Sequence, residues 1–216
     1  MIIQKDKNSC IVICRGNSVK RLKEIDDIKY DKCFLVNEWS KEVSQHKEIR
    51  EFLEKQASLI HVINRDSKSL FTKKDYLDLK FNEVLLNVRK PEYLSSNLKK
   101  HLDKINQKSS FLNENLVPIS KTKAGGFPST GILATVNAAM NGNVKNIYVI
   151  GLDFFEDRYF SHHSHSMKPE VFDYQKKKGV IMKEYLTNII KHFNDKNFIF
   201  CTNSSFNPNL ENCKIL

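Results

Sequence analysis

The sequence predicts an α/β fold: one Rossmann-like domain spanning residues 1–216, with a central, mostly parallel sheet flanked by helices. Three observations predict it. Short β-rich runs alternate with helical patterns along the chain, which is the signature of a parallel sheet covered on both faces. A chain of 216 residues is long enough to bury one sizeable core and gives no reason to expect two. A loop-like interval rich in aromatics and histidine follows a predicted central strand, at the carboxyl edge where open α/β sheets place their ligands.

In order, the predicted strands are Cys10–Cys14, Cys33–Asn37, Leu59–Asn64, Val84–Val88, Ile147–Gly151 and Phe198–Cys201. Between the fourth and fifth, Leu94 to Pro118 reads as a polar helix with long surface connections. The stretch "GGFPSTGILATVNAAMNGN" then opens a helix. Pro128 fixes the entry, Ser129 or Thr130 caps the first free amides, and Ile132, Leu133, Val136 and Met140 form its apolar face before the stop around Gly142. The last helix reads from Gly179 onward, where Ile181, Met182, Tyr185, Leu186, Ile189, Ile190 and Phe193 recur as one wide apolar stripe. Asp153 to Lys168 fits neither period and reads as a functional loop.

Composition narrows the function. A net charge of +10 suits nucleic acid, an anionic membrane surface or a phosphorylated substrate. The densest basic clusters, "KKHLDKINQK" and "YQKKKG", lack the interleaved aromatics of a single-strand platform, so nucleic acid is disfavoured. Five cysteines without a CxxC pair, Cys10 and Cys14 sharing one strand face, predict reduced thiols and no structural zinc. No apolar run is long enough to cross a bilayer, and "MIIQKDKNSC" lacks a signal peptide's apolar core, so a cytoplasmic protein is expected, with lysines that could hold it peripherally at anionic lipid.

Several groups could carry chemistry. "CIVICRGNSVKRLKEID" sets Gly16, Asn17 and Ser18 between a strand and a helix without the G-x-G-x-x-G of a nicotinamide site. Asn37 and Asn64 end two further strands. Each asparagine either caps a turn or offers a neutral donor and acceptor to a ribose, a sugar hydroxyl or a phosphate oxygen. Ser129, Thr130 and Gly131 make an ordinary helix start or an anion site, because first-turn amides and the helix dipole both face forward. "FSHHSHSMKPE" supplies His162, His163 and His165, open to three readings: a solvated loop, a metal site without convincing further ligands, or a general base.

Together these segments resemble the sialyltransferases, both the bacterial lipooligosaccharide enzymes and the animal Golgi enzymes. "VICRGNSVKRLKEID" with "CFLVNEW" resembles their first nucleotide motif, and "FPSTGILATVNAAMNGNVKNIYVIGLDFF" the second. The resemblance implies the sialyltransferase variant of the GT-A fold with a short lid at about 154–166. It also implies a CMP-sugar donor held by Gly16, Asn17, Ser18, Asn37, Asn64, Ser129, Thr130, Gly131 and Gly151. His165 would be the general base, with Glu170 five positions on as in the animal members. Tyr159 would meet the departing phosphate, while Phe155 stands where a second tyrosine is expected.

The implied reaction is inverting transfer of sialic acid, or a related nonulosonic acid, from CMP to a glycan hydroxyl such as that of galactose, without a metal cofactor. The partners would be CMP-sialic acid and a glycan, lipooligosaccharide among the candidates, and an oligomer is compatible. The alternatives are a non-catalytic CMP-sugar- or glycan-binding domain, and a transferase for another CMP-activated acid such as Kdo or pseudaminic acid. No C-terminal membrane-associating extension of the kind the bacterial members carry is expected.

Overall fold

The computed structural model describes residues 8–37, 39–64, 71–87, 94–105, 109–111, 129–156 and 169–216. Eight strands form one sheet: β1 Ser9–Ile13, β2 Lys32–Val36, β3 Leu59–Asn64, β4 Phe81–Asn87, β5 Ser109–Phe111, β6 Asn146–Ile150, β7 Asn197–Cys201 and β8 Cys213–Ile215. Their order is β5-β4-β3-β2-β1-β6-β7-β8, and each neighbouring pair is parallel. The chain therefore winds outward from β1 to β5, crosses back over the sheet, and winds outward again through β6 to β8. The reversal falls between β1 and β6, and doubly wound sheets bind ligands at the carboxyl edge beside such a point.

Alternation of side chains along β1 and β2 divides the core between two faces. Ile11, Ile13, Cys33 and Leu35 point to the side covered by a 3₁₀ helix (Asn17–Glu24) and by α1 Ser40–Gln45, α2 Lys47–Glu54, α3 Lys73–Asp78 and α4 Ser96–Ile105. Cys10, Val12, Cys14, Phe34 and Val36 point to the side covered by α5 Thr130–Met140 and α6 Pro169–His192. The expected α/β/α layering is thus present, with the sheet wholly parallel. Helix α5 lies against β1, β2, β3, β6 and α6. It is buried on almost every side, as an apolar helix without a charged face must be. All five cysteines are free, and burial pushes the Cys10 thiol up to about 12. Among the described residues no helix is long and apolar enough to cross a membrane.

Three expectations need correction. Strands β5 and β8, each of three residues, were not predicted, because such short edge strands are too brief to show a period. The Leu94–Pro118 region contains a strand as well as the helix. The last helix begins at Pro169, not at Gly179, which lies within it. A glycine inside a helix usually weakens it. Here a Cβ at Gly179 would stand 2.1 Å from the Phe154 carbonyl oxygen, so its absence lets the turn after β6 pack on the helix backbone.

Two effects oppose each other in Gly179→Ala. Helix propensity favours alanine by about 1 kcal/mol. The clash is with a backbone atom, which cannot swing away, so overpacking should reach the upper part of its usual range of about 1–3 kcal/mol and outweigh the propensity gain. Urea unfolding is expected to show a net loss of stability, and a variant as stable as wild type would show that the Phe154 turn yields freely.

Candidate functional site

The predicted site residues that the structure describes gather at the carboxyl edge of the sheet. Gly16, Asn17 and Ser18 follow β1, Asn37 follows β2, Asn64 ends β3, and Gly151 follows β6. Ser129 caps α5, and Thr130 and Gly131 form its first turn. His165 and Tyr159 lie outside the described residues, as does most of the 154–166 interval.

One buried carboxylate, after β6, joins that strand end to the ends of β1 and β7. Asp153 Oδ2 accepts from Ser18 N at 2.8 Å, and Oδ1 accepts from Ser18 Oγ at 2.6 Å, Thr202 Oγ1 at 2.9 Å and Asn203 N at 3.1 Å. The Ser18 hydroxyl also accepts from Gly151 N at 3.0 Å. Ser18 is wholly buried, and its hydroxyl is engaged inside the protein. Gly151 adopts φ +75°, and a Cβ there would lie 2.4 Å from the Cys14 carbonyl oxygen. Gly16 donates its N–H to Gly151 O at 2.7 Å, which closes the two loops on each other. Sequence reasoning passed over Asp153, although an aspartate directly after a strand-Gly-Leu end, among serines and threonines at other strand ends, was a usable signal.

At the mouth of α5, Ser129 accepts from Ile132 N at 3.4 Å in ordinary capping geometry. A Cβ on Gly131 would stand 2.6 Å from Cys14 Sγ, so the group that approaches this glycine's α-carbon is the end of β1. Thr130 Oγ1 accepts from Asn87 Nδ2 at 2.9 Å. Asn87 ends β4 opposite Asn64 and is buried, and its Oδ1 has no hydrogen-bond partner among the described residues. A buried amide oxygen without a partner is costly, and it is suited to receive a donor from a ligand. Asn87 thus extends the row of strand-end asparagines to a third neighbouring strand.

Beyond Asp153 the backbone is strained. Phe154 and Phe155 have φ values of 50° and 61°, left-handed for bulky side chains. Such conformations cost about 1–3 kcal/mol each and persist where surroundings over-determine them. Phe154 packs on Phe206 with ring centroids 4.9 Å apart. Glu156 accepts from Ser205 N at 2.5 Å and Ser205 Oγ at 2.9 Å, and pairs with Lys183 of α6. Burial works to raise the Glu156 carboxyl; the Lys183 and Ser205 donors outweigh it and hold the group below its usual value. The chain is therefore gripped on both sides of the strained pair before it enters the interval holding Tyr159 and His165.

Two further features escaped sequence reasoning. Arg15, next to Gly16, donates to Glu42 at 2.9 Å in a largely buried pair. His61 lies in the core between Asn37 and Tyr76; its Nε2 sits 2.6 Å from the Asn37 carbonyl oxygen and its Nδ1 meets the Tyr76 hydroxyl. Burial pushes its pKa down to about 4, against the opposing pull of the Asn37 carbonyl. No cluster of three metal-ligating side chains occurs among the described residues. A cavity of about 720 Å³ opens at the opposite, amino edge of the sheet between Lys32, Asn143 and Lys196. There Lys196 is spent on the Val144 carbonyl at 2.8 Å.

No protein-family model and no curated protein matches the chain. Solved structures do. A variant of the sialyltransferase CstII in complex with CMP superposes with a TM-score of 0.55 at 13% identity, covering 90% of this chain and 81% of that one. CstII from Campylobacter jejuni with the substrate analogue cytidine-5'-monophosphate gives 0.51 at 15% identity, covering 94% and 83%. CstII with a trisaccharide acceptor and CMP gives 0.52 at 14%, covering 91% and 82%. At these identities the likeness establishes the shared fold.

Asp153→Ala strands the buried Ser18 N–H and hydroxyl, each worth about 1–3 kcal/mol without a partner, while Thr202 keeps the Leu152 carbonyl as acceptor at 3.1 Å and the exposed Asn203 N–H can turn to water. A loss of about 3 kcal/mol or more in urea unfolding is expected, and a loss under about 1 kcal/mol would show that the three strand ends hold together without the carboxylate. His61 makes a separate prediction. Its folded pKa of about 4 lies below the ordinary 6.5, so the unfolded chain takes up the proton first, and stability falls as pH drops from 6.5 towards 4. The contribution lost over that window is about 3 kcal/mol. Unfolding of His61→Gln is expected to show a shallower pH slope there, and an unchanged slope would remove His61 as its source.

Proposed function

We propose that the chain is an inverting glycosyltransferase that moves sialic acid, or a related nonulosonic acid, from a CMP-sugar to a glycan hydroxyl. The observation that carries the reading is the edge itself. The carboxyl ends of three neighbouring strands, β2, β3 and β4, each carry an asparagine, Asn37, Asn64 and Asn87, and the amino end of α5 meets the same edge, where Thr130 accepts from Asn87, in a fold shared with structures whose bound ligand is CMP. Neutral amides suit a base and ribose, and helix amides with a hydroxyl such as Thr130 suit a monophosphate. Gly16 and Asn17 would close over the nucleotide, with Gly131, Gly151 and Ser18 setting how closely the backbones approach.

In the proposed reaction the acceptor oxygen bonds to the anomeric carbon as the bond from that carbon to the CMP phosphate oxygen breaks. His165 takes the acceptor proton and CMP leaves with the bonding pair. Charge grows on the phosphate in the transition state, so pre-aligned amides act there more than in the ground state. Tyr159 would add a hydroxyl. We propose that no metal is required, the helix end supplying the compensation. The glycan acceptor, with galactose and lipooligosaccharide as candidates, would enter beside His165. Phe155, which offers no hydroxyl, supports a second reading in which the domain binds CMP-sugars without turning them over.

The test is CMP release from CMP-sialic acid with a galactoside acceptor, followed by product mass analysis across a panel of CMP-activated acid sugars. Turnover without added metal that falls about 10²–10⁴-fold in His165→Ala is expected, the range of a general base. CMP binding without release from any donor would favour the binding domain. A chain that neither binds nor releases CMP would end the nucleotide reading.

A further inference from the structure

We propose that His61, a core residue, is the positioning residue that sets Asn37 at the nucleotide edge, through an N–H held on the Asn37 backbone carbonyl. The inference rests on the reading of Asn37 as a donor-site residue and adds how its amide is aimed. The tautomer follows from the partners. A carbonyl oxygen can only accept, so the Nε2 that lies 2.6 Å from Asn37 O carries the proton. In the neutral ring Nδ1 must then accept, and the Tyr76 hydroxyl is placed to donate to it. Tyr76 of α3 thereby selects the tautomer that Asn37 requires.

The backbone at Asn37 shows what this does. Its N–H donates to Val62 O at 2.7 Å, and its carbonyl receives the His61 N–H, so both polar groups of the residue are pinned by β3. Between them the residue takes φ 64°, a left-handed conformation that asparagine tolerates better than most residues. With both peptide groups fixed, the Cα–Cβ direction is fixed too, and it leaves β2 at the edge shared with Asn64 and Asn87. His61 is itself wholly buried, against Phe71 and Phe81 with ring centroids 5.2 and 5.6 Å away. It can therefore act on a ligand only through Asn37. A leucine would satisfy the apolar cage, but not the carbonyl.

The test is calorimetric titration of the full chain with CMP, using His61→Leu, His61→Gln, Asn37→Ala and the His61→Leu/Asn37→Ala pair. Asn37→Ala and His61→Leu are each expected to weaken CMP about tenfold, the equivalent of one hydrogen bond. The pair is expected to bind no worse than Asn37→Ala alone, because a residue acting through Asn37 has nothing left to position. His61→Gln, which keeps an N–H for the carbonyl, should recover CMP affinity to within about threefold while its melting point falls with that of His61→Leu. A purely structural histidine would instead leave CMP affinity unchanged in folded protein, or add its full factor on top of Asn37→Ala; either result overturns the inference. Should His61→Leu fail to fold, Tyr76→Phe keeps the packing and removes only the tautomer-selecting hydroxyl. It is expected to weaken CMP about threefold, and only when Asn37 is present; unchanged affinity overturns the inference. Wild-type protein that does not bind CMP overturns the nucleotide reading and this inference with it.

Discussion

The carboxylate of Asp153 is the constraint on which the carboxyl edge depends. It follows β6, and two chain segments remote from it in sequence, after β1 and after β7, end on its two oxygens. A buried charge is costly, and it is tolerated only when its lone pairs are filled by donors. Asp153 accepts from two backbone N–H groups and two hydroxyls, the charge-assisted kind of hydrogen bond that is shorter and stronger than its neutral counterpart. An asparagine of the same shape would turn one donor-facing atom into a competing donor. The role of Ser18 follows from this. Its hydroxyl passes a hydrogen bond from Gly151 N to Asp153, so it ties the two loops at the sheet reversal to one another.

Rigidity at that point explains how strain can survive next to it. Consecutive left-handed phenylalanines are unfavourable by sterics alone. They are clamped upstream by Asp153 and downstream by Glu156, which holds Ser205 and Lys183. Gly179 removes the side chain that would otherwise collide with the turn. Strain stored where the chain leaves a strand towards proposed catalytic groups fits a site that must aim them, and it is the kind of local inconsistency that functional segments carry.

The layering was readable because it rests on long-range periodicity. Apolar strands alternating with amphipathic helices leave few arrangements other than a covered parallel sheet, and the α6 stripe from Ile181 to Phe193 is buried or half-buried as its spacing requires. What escaped was short or tertiary in origin. Strands β5 and β8 have three residues each, and the first turns of α6, Pro169 to Gly179, mix a few apolar residues with a lysine run and a glycine, so neither carries a clear period. Placing the end of β4 at Val88 instead of Asn87 hid the asparagine that repeats the pattern of Asn37 and Asn64. The small residues around Gly131 were read as open to a ligand. In the fold part of that space belongs to Cys14, a neighbour across the sheet that no local window reveals.

The same geometry bears on how the site would handle charge. The chain carries a net +10, yet near the carboxyl edge two described cations are paired, Arg15 with Glu42 and Lys183 with Glu156, while Asp153 is held by neutral donors alone. Matched pairs leave little field of their own at short range, and what remains to meet a phosphate is a set of oriented dipoles: helix amides, a threonine hydroxyl and strand-end carboxamides. Dipoles fixed by the fold need not reorganise as charge develops, whereas mobile lysine side chains would. They also screen less than surface charges do, being partly out of water. On the proposed reading, a monophosphate leaving group, with less charge to compensate than a diphosphate, is the class of leaving group that oriented dipoles could serve.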